Sequence, residues 1–310
     1  MRLNGQHTRT IWPDAAGGAI VVIDQRALPH RVVATRITSA GEAARAIAGM
    51  TVRGAPLIGV TAAYGLALQA AADAGDAALQ AAARELKASR PTAVNLAWAV
   101  DRMLDVLLAQ SPGVRAAAAR RHADRLADDD VATNQAIGRH GVVLLRALAA
   151  RRPGRTLNLL THCNAGWLAT VDWGTALAPV YLAQEQGLAI HVWVDETRPR
   201  NQGASLTAFE LREQGVAHTV IADNAGGHLM QHDRVDAVLV GCDRVAANGD
   251  VANKIGTYLK ALAAHDNGVP FYVAMPLSTL DRSITDGLAE IPIEERAARE
   301  VTHVLGRDGN

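Results

Sequence analysis

The spacing of apolar residues changes once along this chain, near Arg151. From about Thr38 to Arg125 the apolar positions fall three and four apart. The alanine-rich stretches GEAARAIAGM, IGVTAAYGLALQAAADA, DAALQAAARELKAS and VNLAWAVDRMLDVLLAQ each predict a helix. Pro56, Pro91 and Pro112 fall between these stretches, where helix starts and loops tolerate proline. Val114 to Leu148 predicts one or two connecting helices. Ahead of this block, Arg9–Trp12, Ala19–Asp24 and Arg31–Thr35 read as short strands, with a turn over Asp14–Gly18. Beyond Arg151, TLNLLTH, AIHVWVD, AHTVIAD, DAVLVG, PFYVAM and VTHV are short, near-continuous apolar runs alternating with helical stretches. Runs of that kind predict buried parallel strands. Their alternation with helices predicts an α/β fold, a Rossmann-like doubly wound parallel sheet with right-handed crossovers. A smaller N-terminal domain of short β-strands and helices precedes it.

The length, 310 residues, accommodates two domains at roughly 100–200 residues each. The change of pattern divides them into 1–130 and 131–310. Apolar residues are 49% and charged residues 20%, the composition of a chain that buries a core rather than staying disordered. Lys+Arg and Asp+Glu are both 31, so nucleic acid and anionic membrane surfaces are not the expected partners. No apolar run approaches the roughly 18 residues of a membrane span. The opening MRLNGQHTRTIW lacks the apolar stretch of a secretory signal. The expected compartment is the cytoplasm, with Cys163 and Cys242 as reduced thiols.

In open parallel sheets, ligands bind beyond the carboxyl ends of the strands. The segments there are THCNAG, DETRPRNQGA, ADNAGGH, GCDRVAANGDVANK and MPLSTLD. Cys163 follows an apolar run and precedes Gly166; beside the amides of a following helix it would be favoured as a thiolate, and otherwise it is a small buried hydrophobe. His162 and Cys163 form no second pair at zinc spacing, so no metal is expected. Asp243 directly follows AVLVG, where apolar surroundings hold a carboxyl group protonated and fit to act as an acid; the alternatives are an N-cap or an ion pair with Arg244. Cys242 should point the opposite way and pack, and Asp250 reads as a loop or capping residue. Asn253 and Lys254 offer an amide and an ammonium for a phosphate. Arg198, Arg200, Gln202 and Gly203 read as a rigid turn with cationic and amide donors. Arg53 suits bidentate phosphate contact, Gly54 and Ala55 permit close backbone approach, and Arg90 opens another helix start. No P-loop and no GxGxxG follows a strand, and no cofactor is expected.

Taken together, RGAPLIGVTAAYG, RPTAVNLAWAVDRM, LTHCNAG, DETRPRNQGASLTAFEL, ADNAGGHLM, GCDRVAANGDVANKIGTY and IPIEERAAREV resemble the methylthioribose-1-phosphate isomerase family. That family is related to the regulatory subunits of the exchange factor for eukaryotic initiation factor two. The resemblance implies an aldose–ketose isomerase of methionine salvage, a homodimer acting on a sugar phosphate. It implies Cys163 and Asp243 as the catalytic pair, with Arg53, Gly54, Ala55, Arg90, Gln202, Asn253 and Lys254 holding substrate. Many members read QGARLTAWEL where this chain has Ser205 and Phe209. That departure leaves 5-deoxyribose 1-phosphate and ribose 1,5-bisphosphate as alternative substrates. A non-catalytic subunit that binds a sugar phosphate or nucleotide is the reading from another class. A metal-dependent isomerase is a further one.

Overall fold

The computed structural model describes residues 1–304 and 306. The N-terminal part begins with a hairpin of β1 (Arg2–Leu3) and β2 (Gln6–His7). An antiparallel meander follows, made of β3 (Ile11–Pro13), β4 (Ile20–Ile23) and β5 (Ala34–Ile37). The turn expected at Asp14–Gly18 is closed by the Asp14 N–H donating to the Ala19 carbonyl. Helices α1 (Ala40–Ala48), α2 (Ala55–Ala72), α3 (Asp76–Ser89) and α4 (Val94–Leu108) come next. The start of α1 is fixed by Ser39, whose hydroxyl accepts from the Glu42 N–H, while the Glu42 carboxylate reaches back to the Thr38 N–H.

α2 is the central helix of this part, packed on α1, α3, α4 and α5. Against the expectation from sequence, its 18 residues are long and apolar enough to cross a bilayer. Burial on nearly all sides accounts for that composition, since a helix enclosed by helices has no face left to be polar.

The segment expected to form one or two helices is a single one, α5 (Pro112–Ala150). Gly138 and Gly141 do not break it, because α6 (Ala178–Glu185) packs against them through Ala178 and Pro179. The first half of α5, with Ala118, Ala119, Ala123, Leu126 and Ala127, belongs to the core built around α2. Its second half, with Val142, Leu145 and Leu148, belongs to the core under the parallel sheet. The expected division at 130/131 therefore falls inside a continuous helix, between two separate cores.

The parallel sheet consists of β6 (Leu157–His162), β7 (Ile190–Asp195), β8 (Ala217–Ile221), β9 (Ala237–Val240) and β12 (Phe271–Val273). Its order is β12-β9-β6-β7-β8, every pair parallel. Helices α6, α7 (Ala208–Gln214), α8 (Ala225–Gln231) and α9 (Thr257–Asp266) lie between strands in the chain. From β6 the chain winds outward one way through β7 and β8. It then returns to place β9 on the other side of β6, so the sheet reverses direction between β6 and β9. A small side sheet of β10 (Arg244–Ala246), β11 (Val251–Ala252) and β13 (Leu280–Asp281) interrupts the winding after β9. VTHV, expected as a strand, is not one. Short helical turns α10 (Gly287–Glu290) and α11 (Arg299–Thr302) end the described chain. Arg296 and Glu300 pair at helical spacing there, and the Val301 carbonyl accepts from Arg198 instead of from a strand.

One contact fastens the middle of α5 to the loop after β6. The Asp130 carboxylate accepts from the Val171 N–H at 2.8 Å. Burial pushes the Asp130 carboxyl up to about 7 from 3.8. The folded protein thus holds that proton more tightly than the unfolded chain, so Asp130 subtracts stability as the pH rises from 3.8 towards 7. Asp130→Asn keeps an acceptor for Val171 and removes the charge. The variant should gain on the order of 1–3 kcal/mol at pH 8 and little at pH 4. Urea denaturation at both pH values checks this, and an equal change at both would reject it.

Candidate active site

Cys163 follows β6 and Asp243 follows β9, with only Gly241 and Cys242 between Asp243 and the strand end. These are the adjacent strands at which the sheet reverses, so both residues enter the crevice where such sheets bind ligands. The crevice holds about 730 Å³ of empty space, its mouth included. Cys163, Asp243, Arg53, Gly54, Ala55, Arg90, Gln202, Asn253 and Lys254 all line it, although they come from six separate stretches of chain.

Local folding explains each arrival. The stretch after Asp243 runs out along β10, turns at Asn248–Gly249 and returns along β11. The Asp243 N–H donates to the Ala252 carbonyl at 2.9 Å, so the hairpin sets Asn253 and Lys254 beside Asp243. Arg53 and Gly54 precede α2. Gly54 has φ +95°, and a Cβ there would lie 2.5 Å from the Ala169 backbone. Only glycine lets the start of α2 touch the loop after β6. The α2 N-terminus has no side-chain cap, so its free N–H groups face the crevice. Gln202 precedes a π-helical turn, Gly203–Thr207, that leads into α7.

Cys163 has φ +64°, an uncommon backbone conformation for a side chain of this kind. Threonines hold it from both sides. Its N–H donates to Thr197 Oγ1 at 2.9 Å, and its carbonyl accepts from Thr207 Oγ1 at 2.7 Å. The thiol was expected to meet amides of a following helix. Those amides are taken: Trp167 N–H and Leu168 N–H both donate to the buried Glu210 carboxylate. Glu210 also accepts from Asn164 and Tyr181, and burial pushes its carboxyl up.

The charges in the crevice are strongly coupled. Burial pushes the Asp243 carboxyl up, while Lys254, Arg90 and Arg53 pull against that rise without cancelling it. Burial also pulls the Arg53 guanidinium down, opposed by Cys163, Glu210 and Asp243. Arg53 donates from Nε to Gln25 at 3.0 Å and from its two terminal nitrogens to the Asn164 carbonyl and side chain. Three of its five donors are used, leaving two for a ligand. Arg90 donates to Glu294 at 2.8 Å. Gln202 is buried with its Oε1 unpartnered among the described residues, an acceptor that a sugar hydroxyl would satisfy.

Two readings change here, and one alternative for Asp243 falls away. Cys242 lines the crevice rather than packing away from it; burial, and then the Asp243 charge, push its thiol up to about 12, so it stays protonated. Asp243 does not pair with Arg244, which turns to Asp281 and the Thr92 carbonyl. Arg198 and Arg200 do not line the crevice; they bind the Glu300 and Val301 region. Sequence reasoning missed Thr197, Thr207 and Glu210. The one available signal was Glu210, a lone acid in the apolar run TAFEL.

The sequence profile of the Initiation factor 2 subunit family matches residues 51–309. Methylthioribose-1-phosphate isomerase from Methylobacterium nodulans is 61% identical over 307 residues, covering 99% of this chain and 84% of that one. The protein of the same name from Rhodospirillum centenum is 60% identical, over 99% and 82%. The crystal structure of 5-methylthioribose 1-phosphate isomerase from Pyrococcus horikoshii superposes with a TM-score of 0.84 at 39% identity, covering 96% and 82%. That of the translation initiation factor eIF-2B delta subunit from A. fulgidus gives 0.81 at 41% identity, over 96% and 86%. The relatives make this an isomerase class of protein. The chain belongs to the methylthioribose-1-phosphate isomerase branch of the Initiation factor 2 subunit family.

Gly54→Ala would test whether the crevice depends on the contact between α2 and Ala169. The variant should lose about 2–4 kcal/mol, from a strained backbone and a clash with main chain that cannot yield. A melting temperature within a degree of the parent would contradict that dependence.

Proposed function

We propose that this isomerase converts 5-methylthioribose 1-phosphate into 5-methylthioribulose 1-phosphate, as a cytoplasmic step of methionine salvage. The supporting observation is one crevice holding the Asp243 carboxyl group, pushed up by desolvation, the Cys163 thiol and three cations, beside an uncapped helix N-terminus. Arg53, Arg90, Lys254 and the α2 N-terminus supply the charge that a phosphate dianion needs. Asn253 and Gln202 supply neutral polar contacts, and Gly54 and Ala55 give close backbone approach.

The anomeric phosphate locks the sugar as a ring, so the ring must open before the carbonyl can move. Asp243 as a carboxylic acid donates its proton to the ring oxygen as the bond from C1 to that oxygen breaks. Cys163 as thiolate takes the C2 proton, leaving an enediol phosphate. The thiol returns a proton to C1, and the C2 hydroxyl gives its proton back to Asp243, which restores both groups. A hydride shift from C2 to C1 competes with this route. It uses the same acid and needs no thiolate. Solvent deuterium at C1 of the product supports proton transfer.

Each acid or base group contributes roughly 10²–10⁴-fold. Cys163→Ser and Asp243→Asn should each lose at least about 10²-fold in kcat. Near-normal turnover in either variant removes that residue from the reaction. Lys254→Ala should chiefly raise KM. Because Asp243 acts only while protonated, kcat/KM should fall on the alkaline side as its carboxyl ionises. A panel of methylthioribose 1-phosphate, 5-deoxyribose 1-phosphate and ribose 1,5-bisphosphate decides the substrate. No turnover on any of the three would favour a binding subunit instead.

The homodimer and the two-domain division belong to the same reading. Exposed Tyr258, Leu259 and Leu262 of α9, with Ile255 just before it, form an apolar patch that a second copy would bury. Light scattering reads the mass directly.

A further inference from the structure

His162, immediately before Cys163, is buried between oxygen atoms on both sides of its ring. Its Nε2 lies 2.7 Å from the Ile255 carbonyl, which can only accept, so Nε2 carries a proton. Its Nδ1 lies 2.6 Å from Asp195 Oδ2. The same oxygen is 2.7 Å from the Lys260 ammonium, which also donates to the Asp223 carbonyl. The other oxygen of Asp195 is buried and unpartnered among the described residues, so a carboxylic proton there would have nothing to donate to. A proton on Oδ2 would have to point at Nδ1 while that same oxygen meets the Lys260 ammonium, which favours the charged carboxylate over the neutral acid, so Asp195 accepts and Nδ1 carries a proton too. A ring protonated on both nitrogens is an imidazolium. Two cations share one anion, so the buried cluster keeps one net positive charge. Gly256, with φ +100°, closes over the ring: a Cβ there would lie 2.9 Å from His162 Cε1.

We propose that His162 is a positioning residue for the isomerisation, a standing imidazolium, held by Asp195 and Lys260, that sets a positive charge beside Cys163 and locks the Asn253–Lys254 loop to the end of β6. The loop is locked because Ile255, which accepts the Nε2 proton, directly follows Lys254. The other charged groups set around the crevice of Cys163 are Arg53 before α2, Arg90 after α3, Asp243 after β9, Lys254 after β11 and Glu210 of α7, the last held behind Asn164. None of them shares a hydrogen bond with His162, so its charge can be altered separately from theirs. The proposal rests on the reading of Cys163 as the base, and its test is independent of turnover.

Nitrogen NMR of the whole unmodified protein, labelled on histidine, should show both ring nitrogens of His162 protonated at pH 7. A neutral tautomer there overturns the proposal, whatever the variants do. His162→Gln keeps an amide donor for the Ile255 carbonyl and loses the charge. Alkylation of Cys163 by iodoacetamide at pH 7, located by mass spectrometry, should slow about tenfold, the effect of one nearby cation on the thiolate share. Cys242 remains unlabelled, its thiol being pushed up to about 12. KM should stay within about twofold of the parent while kcat falls, since the loop contact survives in this variant and only the charge is gone. An unchanged alkylation rate in folded His162→Gln would show a purely structural ring and end the proposal. Alkylation needs no sugar phosphate. Absence of turnover on every sugar of the panel would therefore count against the functional reading and leave the charge on His162 to be judged separately.

Discussion

Charge crowded into one crevice is the constraint around which this molecule is organised. The Asp243 side chain opens onto that crevice, and the protein packed around it disfavours a lone carboxylate there. Two solutions coexist in the structure. Burial shifts the group towards its neutral form, and three cations stand close enough to limit that shift. A carboxyl group balanced between the two can give up a proton and take one back at modest cost. The cations are themselves restrained: Gln25 and Asn164 hold Arg53, and Glu294 holds Arg90. The fixed charges face the space between them, which is the arrangement that stabilises a phosphate and charge developing on a sugar ring.

Convergence on one crevice follows from strand order. Because the sheet reverses between β6 and β9, the loops leaving these neighbours diverge and open a gap. Cys163 and Asp243 stand on the two sides of it. The N-terminal core closes the gap from above by a contact between Gly54 and Ala169 that tolerates no side chain. α5 runs through both cores and sets their spacing. A crevice shared between two cores in this way depends on the packing of both.

Much of the buried polar structure supports the crevice rather than lining it. Glu210 satisfies two loop amides, an asparagine and a tyrosine at once, fixing the loop that carries Cys163. Thr197 and Thr207 bracket Cys163 in its left-handed backbone conformation. Buried groups so fully paired are rigid, and rigidity in the supporting layer is what keeps reacting groups in register.

The sequence by itself determined the parts. Near-continuous runs such as LNLLTH and AVLV specified buried parallel strands, and three-and-four spacing specified α1 to α4, because those periods have few other ways to hide apolar surface. The rule that ligands sit at strand ends singled out Cys163, Gln202, Asp243, Asn253 and Lys254, helix starts pointed to Arg53 and Arg90, and the family resemblance assigned their roles. VTHV misled because a short apolar run does not say whether a sheet edge is free to receive it, and here ion pairs at helical spacing took the segment instead. Tertiary structure decided the rest. Glu210 binding the amides intended for the thiol, Cys242 facing the crevice, Arg198 and Arg200 turning to the C-terminal segment, and two acceptors closing on His162 all depend on residues dozens of positions apart. Hydrogen bonds and desolvation act over a few ångströms of space, and sequence spacing carries no record of which distant groups will come that near.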